Sequence, residues 1–279
     1  MVDWRTQVLE ADGKYDEAIE RWLAVLQLAR LHDQEPSLMA YLVSNAVRGV
    51  ATAGIYRALE AGPIDAELRG RLDAELARHD DPQTIDRVLR NERAISVSAS
   101  LDQINQASGA MRRIVGWGIM WHFVGPFDYY DDVLATIGQP WPAMKAKFYN
   151  PRGADLPPTG HGILADLLQD SIAAAVRADR RKTASVRSLR AINAFQAFAA
   201  ENGREATGLS ELGLPKSATM DPFSAGPLVA RHTDAGWLVY SVADNGINDG
   251  GTMDHVLDYG FGPKIPQAPA DEVQSDSEE

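Results

Sequence analysis

Cysteine is missing from all 279 residues. Disulfides, thiolate metal sites and cysteine nucleophiles are excluded together. Long apolar runs are missing as well. No stretch reaches the ~18 consecutive apolar residues that mark a membrane-spanning helix. The first residues, MVDWRTQVLEADGKYDEA, lack the apolar centre of a secretory signal. Positive charge is scarce: 27 Lys and Arg stand against 39 Asp and Glu, a formal net charge of −12. The concentrated basic surface that a nucleic-acid partner needs is therefore not expected. Catalytic signatures are equally sparse. There is no HExxH, no G-x-S-x-G, no Walker loop and no GxGxxG at a strand–helix junction, and the six histidines are scattered. No catalytic residue can be named on such grounds.

What is present is helical periodicity. Tyr15, Ile19, Trp22, Leu23, Leu26 and Leu31 recur at three- and four-residue steps, predicting an amphipathic helix. A second helix is predicted from Pro36 to Leu59, and a third over IDAELRGRLDAELARH, where Leu68, Leu72 and Leu76 are four apart. Asp80-Asp81-Pro82 stops that helix and caps the next, QTIDRVLRNERAISVSASLDQINQ. Short connections make these antiparallel neighbours. Residues 108–159 read as an irregular aromatic and proline-rich segment with short helices over Asp128–Thr136 and Pro142–Phe148. The longest helical pattern runs from Gly160 to Asn202, with Gly203 as its stop.

The expected fold is α+β and predominantly helical. An antiparallel bundle or repeat-like body (1–159) is followed by one long helix leading to a small C-terminal antiparallel β-module (160–262), and 263–279 forms a Pro-rich, acidic tail expected to be disordered.

The closing third carries a resemblance. The helix end AINAFQAFAAENG is followed by Leu209 to Leu212, by Asp221-Pro222-Phe223, by an aromatic strand ending Tyr240-Ser241-Val242, and by a Gly/Asp-rich loop from Asn245 to Asp254. This order resembles the C-terminal module of type II secretion major pseudopilins and the related modules that end planctomycete-type envelope proteins of unknown function. Ala243 stands where that family usually has glycine, and Asn245 where it has aspartate. The first helix, GKYDEAIERWLAVLQLA, is similar to the first helix of a tetratricopeptide repeat, with no second copy at the expected period.

In major pseudopilins the loop binds calcium. The resemblance implies calcium here, with Asp244, Asn245, Asn248, Asp249 and Asp254 as side-chain ligands and carbonyls near Val242 and Ala243 beside them. Six to eight oxygens suit calcium, and Gly246, Gly250 and Gly251 free the backbone to turn carbonyls inward. It is not an EF-hand: counting from Asp244, the twelfth position is His255, where a bidentate Glu is required. The same residues also suit a hairpin or Asx-turn with no ion.

FDYYDD brings Asp128, Asp131 and Asp132 near His122, either an acid–base cluster or a helix start capped by Asp128. RADRRKTASVRSLR, from Arg177 to Arg190, reads as a basic helix face, able to dock an acidic partner or solvated and paired with acids of the earlier helices. The expectation drawn from all of this is a non-catalytic, envelope-associated structural or protein-interaction protein. It would engage other proteins or itself, with a calcium-stabilised pseudopilin-like module. The alternatives are a hydrolase-like enzyme built on His122 and Asp128–Asp132, or a cytoplasmic helical-repeat scaffold. The envelope or periplasmic location presupposes that an N-terminal anchor was removed; otherwise the cytoplasm is expected.

Overall fold

The computed structural model describes residues 2–106, 108–109, 113, 127–148, 163–253 and 257–263. The helices are α1 (Val2–Ala11), α2 (Tyr15–His32), α3 (Leu38–Ala61), α4 (Ala66–Arg78), α5 (Gln83–Gln106), α6 (127–136), α7 (Trp141–Phe148) and α8 (Ile163–Asn202). Two 3-10 turns follow, then β1 (Val229–Thr233), β2 (Gly236–Ser241) and β3 (Tyr259–Phe261). The sheet is antiparallel in the order β1-β2-β3, with Val229 opposite Tyr240 and Tyr240 opposite Gly260. The chain is thus predominantly helical with a small C-terminal antiparallel sheet, as its periodicities predict.

Local chemistry sets the helix ends. α3 starts two residues later than Pro36 because Ser37, extended at φ −122°, accepts a hydrogen bond from the Ala40 N–H at 3.1 Å. Asp65 caps α4 by accepting from the Glu67 N–H at 2.7 Å. Asp81 accepts from the Gln83 N–H at 2.9 Å and so opens α5. Gly203, at φ +64°, turns the chain out of α8 with its N–H still bonded to the Ala199 carbonyl at 3.0 Å.

α8 is the spine. Forty residues make a rod of about 60 Å at 1.5 Å per residue, and three apolar clusters lie along it. Ile172, Ala173 and Val176 pack with α5, α6 and α7 through Val88, Tyr130, Val133, Trp141, Met144 and Phe148. Val186 and Leu189 join α2, α3 and α4 through Trp22, Leu26, Ile55 and Leu72. Ile192 and Phe195 meet the sheet through Leu228 and Val239, and Trp237 lies flat on the Phe195 ring at a centroid distance of 3.6 Å. The helical body and the β-module therefore share α8 as a common wall.

α2 and α3 nest closely. A Cβ at Gly54 would lie 2.1 Å from the Trp22 indole, so only glycine admits that ring. By length and composition α3 is apolar enough to cross a bilayer. In this fold Tyr41, Ala51, Ile55 and Ala58 of the same helix are buried, and the buried face also carries Arg48. One face of the helix thus belongs to the core. Among the described residues no other helix meets that length and hydropathy.

Candidate functional site

The Gly/Asp loop begins where β2 ends, and a buried carboxylate fixes its first corner. Asp221 is 2% exposed. Its Oδ1 accepts from the Phe223 N–H at 2.7 Å and from the Ser241 hydroxyl at 2.6 Å, while Oδ2 accepts from the Val242 N–H at 3.1 Å. The Ser241 oxygen accepts in turn from the Ala243 N–H at 3.1 Å. Ala243, fully buried, then takes a left-handed φ of +48°. Glycine would adopt that angle without steric cost.

Of the five residues expected to hold calcium, the structure brings two into contact, Asn245 and Asp249. Asn245 donates through Nδ2 to Asp249 Oδ2 at 2.8 Å and accepts from the Ile247 N–H at 2.9 Å. Asn248 Oδ1 accepts from the Tyr240 hydroxyl at 2.9 Å and from the Gly250 N–H at 3.0 Å. These are the bonds of nested Asx-turns. Asp244 is engaged elsewhere: it is buried, and both its carboxylate oxygens accept from Arg181 Nη2 at 3.0 Å. Asp254 lies outside the described residues, as do Asp128's expected partner His122 and also His255. Among the described residues no three His, Asp or Glu side chains converge as metal ligands.

Asp258, which no spacing in the sequence singles out, belongs to the same corner. It is fully buried, Oδ2 accepts from the Gly251 N–H at 2.6 Å, and Oδ1 has no hydrogen-bond partner. Burial pushes its carboxyl above the ordinary range, with Asp249 and Asp221 adding to the effect against two backbone N–H donors. The loop is also clamped from outside. The Trp141 indole N–H donates to the Asp244 carbonyl at 3.1 Å, and Lys145 donates to the Asn245 carbonyl. Its first half is thus part of the core, and residues 246–248 face solvent.

The basic stretch of α8 is not a solvated face. Arg180 donates to the carbonyls of Pro222, Ile137 and Gln139 at 3.0–3.2 Å, joining α6, α7 and the β-module. Arg187 pairs with Asp80 at 2.9 Å and Arg190 with Asp73 at 2.8 Å. Those two are the expected pairings with acids of the earlier helices. Lys182 pairs with Asp179 at 2.8 Å, both nearly buried, and Tyr41 donates its hydroxyl to the same carboxylate. Behind them Arg48 donates from Nε to His79 Nδ1 at 2.8 Å and from Nη2 to Asp33. His79 stays neutral: burial first, then Arg48, Arg30, Lys182 and Arg78, lower its pKa to about 3. Arg48 was legible in principle, because it falls on the buried stripe of Tyr41, Ser44, Ala51 and Ile55.

The acids of FDYYDD serve the surface. Asp131 pairs with Arg93 at 2.8 Å and Asp132 with Lys147 at 2.9 Å, and Asp128 is exposed. Tyr129 and Tyr130 are buried in the first core cluster, and burial raises the pKa of the Tyr130 hydroxyl to about 12. Comparison of the chain with family models, with curated proteins and with solved structures finds no match.

Proposed function

We propose that the protein is a non-catalytic structural or protein-interaction protein of the cell envelope, associating through its first three helices and carrying a pseudopilin-like β-module stiffened by calcium. The observation that carries the interaction reading is the exposed apolar surface of α1–α3. Met39, Val43 and Val50 are 71%, 46% and 56% exposed at helical spacings of four and seven on α3. Trp4 and Val8 stand four apart on α1 at 57% and 48%, and Leu28 and Leu31 on α2 at 50% and 61%. Single exposed apolar residues are ordinary, but apolar groups repeated along helix faces mark a contact surface.

Sedimentation of the full chain tests this. A concentration-dependent dimer or higher species is expected, reverting to monomer in Met39→Glu/Val43→Glu/Val50→Glu. A wild type that stays monomeric up to about 100 μM, the weak end of specific association, would overturn self-association.

The order long helix, hairpin, Gly/Asp loop and third strand supports the module reading. The loop's self-bonded Asx-turns favour equally a plain polar turn. What supports calcium is Asp258 Oδ1, a buried oxygen without a donor, within electrostatic reach of Asp249. Asp244 is already neutralised by Arg181 and contributes its carbonyl to Trp141 instead. Thermal unfolding in EDTA, then in millimolar calcium, should show a rise absent with magnesium and absent in Asp249→Ala. An equal response to magnesium, or none to either ion, would remove calcium, and with it the argument for the envelope.

A further inference from the structure

α3 and α8 do not close on each other along their whole contact. Between them lies a cleft of ≈ 260 Å³, with Tyr259 of β3 at one side. Among the described residues four cations line it, Arg48, Arg177, Arg181 and Lys182, and no carboxylate does. Three of the four have a counterion behind the wall, Asp33 for Arg48, Asp179 for Lys182 and Asp244 for Arg181. His79 behind Arg48 is neutral and adds no further charge.

Arg177 is the exception. Among the described residues it forms no ion pair and its one hydrogen bond goes to the Phe148 carbonyl, while Asp244 and Asp170 act on it only at longer range. A guanidinium donates five N–H groups, so most of its capacity is unused among the described residues. One turn further along α8, Arg181 spends Nη2 on Asp244 while its Nε is buried with no acceptor. Buried donors without partners are rare in folded proteins and ask for an explanation. A half-buried cleft strengthens electrostatic attraction relative to open water, and the guanidinium fork matches the paired oxygens of phosphate and carboxylate.

We propose that this cleft binds the oxyanion head, phosphate or carboxylate, of a small molecule, with Arg177 and Arg181 as its direct ligands. The cleft's volume lies just below the usual range of about 300–1,000 Å³ for ligand sites, which fits a compact metabolite rather than a nucleotide or a polymer. Asp244 acts through Arg181 as a positioning residue, holding the guanidinium by two oxygens. Because Asp244 is also the first residue of the Gly/Asp loop, an anion in the cleft and the corner of the β-module share one arginine.

The test is isothermal titration of the full chain with inorganic phosphate and, separately, with succinate, each against sodium chloride at matched ionic strength. Saturable one-to-one binding of at least one oxyanion is expected, and which one binds identifies the head group. Arg177→Gln should weaken it about ten- to hundredfold, the worth of charge-assisted hydrogen bonds. Gly49→Leu should abolish it without changing charge. Gly49 lines the cleft, and a Cβ there meets nothing within 4 Å, so the added side chain starts into open space at the mouth. Circular dichroism melts of both variants confirm folding. No saturable heat with either anion, or binding that survives both substitutions, would overturn the proposal.

Discussion

The Gly/Asp loop and the basic stretch of α8 meet at the Arg181–Asp244 pair, and their chemistry runs opposite to their composition. The loop has the residue types of an open ligand set, yet Asn245, Asn248 and Asp244 spend their polar atoms on neighbours. The helix has the residue types of a solvated face, yet Arg180, Lys182 and Arg190 are buried or half-buried stitches, and among the described residues Arg177 and Arg181 keep donors unspent. Availability for a ligand depends on which atoms the fold leaves unpaired, and neither charge nor spacing reports that. Short Asx side chains find partners within their own turn. Long arginines reach across several elements and, when the reach falls short of an acceptor, leave a donor in the interior.

If the α8 cations are stitches, cutting one should cost most. Asp179→Ala leaves Lys182, whose side chain is 4% exposed, without its counterion and the Tyr41 hydroxyl without its acceptor. A loss of about 3–5 kcal/mol is expected for an unpaired buried charge, read from urea denaturation. A loss below about 1 kcal/mol is the value of a solvated pair, and would return this stretch to the surface. On the loop side the corresponding cut is Asp221→Asn. It turns an acceptor for the Val242 N–H into a second donor, and should cost about 1–3 kcal/mol with the same denaturant slope. Equal losses at the two positions would erase the contrast between the regions.

Much of the architecture was legible because it rests on local signals. Leucines four apart gave α4, the Asp81 cap gave the start of α5, and Gly203 gave the end of α8. The β2 strand was visible in WLVYS. Burial of the α8 cations was not, since their partners Asp73, Asp80 and the carbonyls near residue 140 come from other elements and at long range. Asp221 was noticed as part of a motif, but its three hydrogen bonds depend on the chain returning to it twenty residues later. Asp258 had no signal at all: a lone acid in VLDYGF looks like a surface residue. His79 likewise read as one scattered histidine, and only the convergence of α3 and α4 makes it the acceptor for Arg48.

That histidine gives the next effect in size. Its pKa is lowered to about 3 by burial and four surrounding cations, against about 6.5 in an unfolded chain. The unfolded state therefore takes up the proton first. The neutral ring's contribution is fully present above pH 6.5 and is lost as pH falls toward 3, at up to about 1.4 kcal/mol per pH unit. His79→Asn keeps an acceptor for Arg48 Nε and removes the titration. Its stability between pH 6 and 4 should fall less steeply than the wild type's by about that slope. Parallel curves would mean that the ring is protonated in the fold and that Arg48 has another partner.

The smallest effect sharpens the comparison at the corner itself. Ala243 holds φ +48°, a strain of about 1–2 kcal/mol for a residue with a Cβ. Ala243→Gly relieves it. Glycine's greater freedom in the unfolded chain takes back about 0.4–1 kcal/mol, and losing a fully buried methyl about 0.8 kcal/mol more. The terms nearly cancel, so the variant should lie within about 1 kcal/mol of the wild type. That near-neutrality is informative, because the corner is held from both sides: Asp221 fixes Val242, while Trp141, Lys145 and Arg181 fix residues 244 and 245. A loss above about 2 kcal/mol, beyond what a methyl's transfer supplies, would place the corner's stability in apolar packing at Ala243. The arginine of α8 would then be a bystander to the loop instead of its anchor.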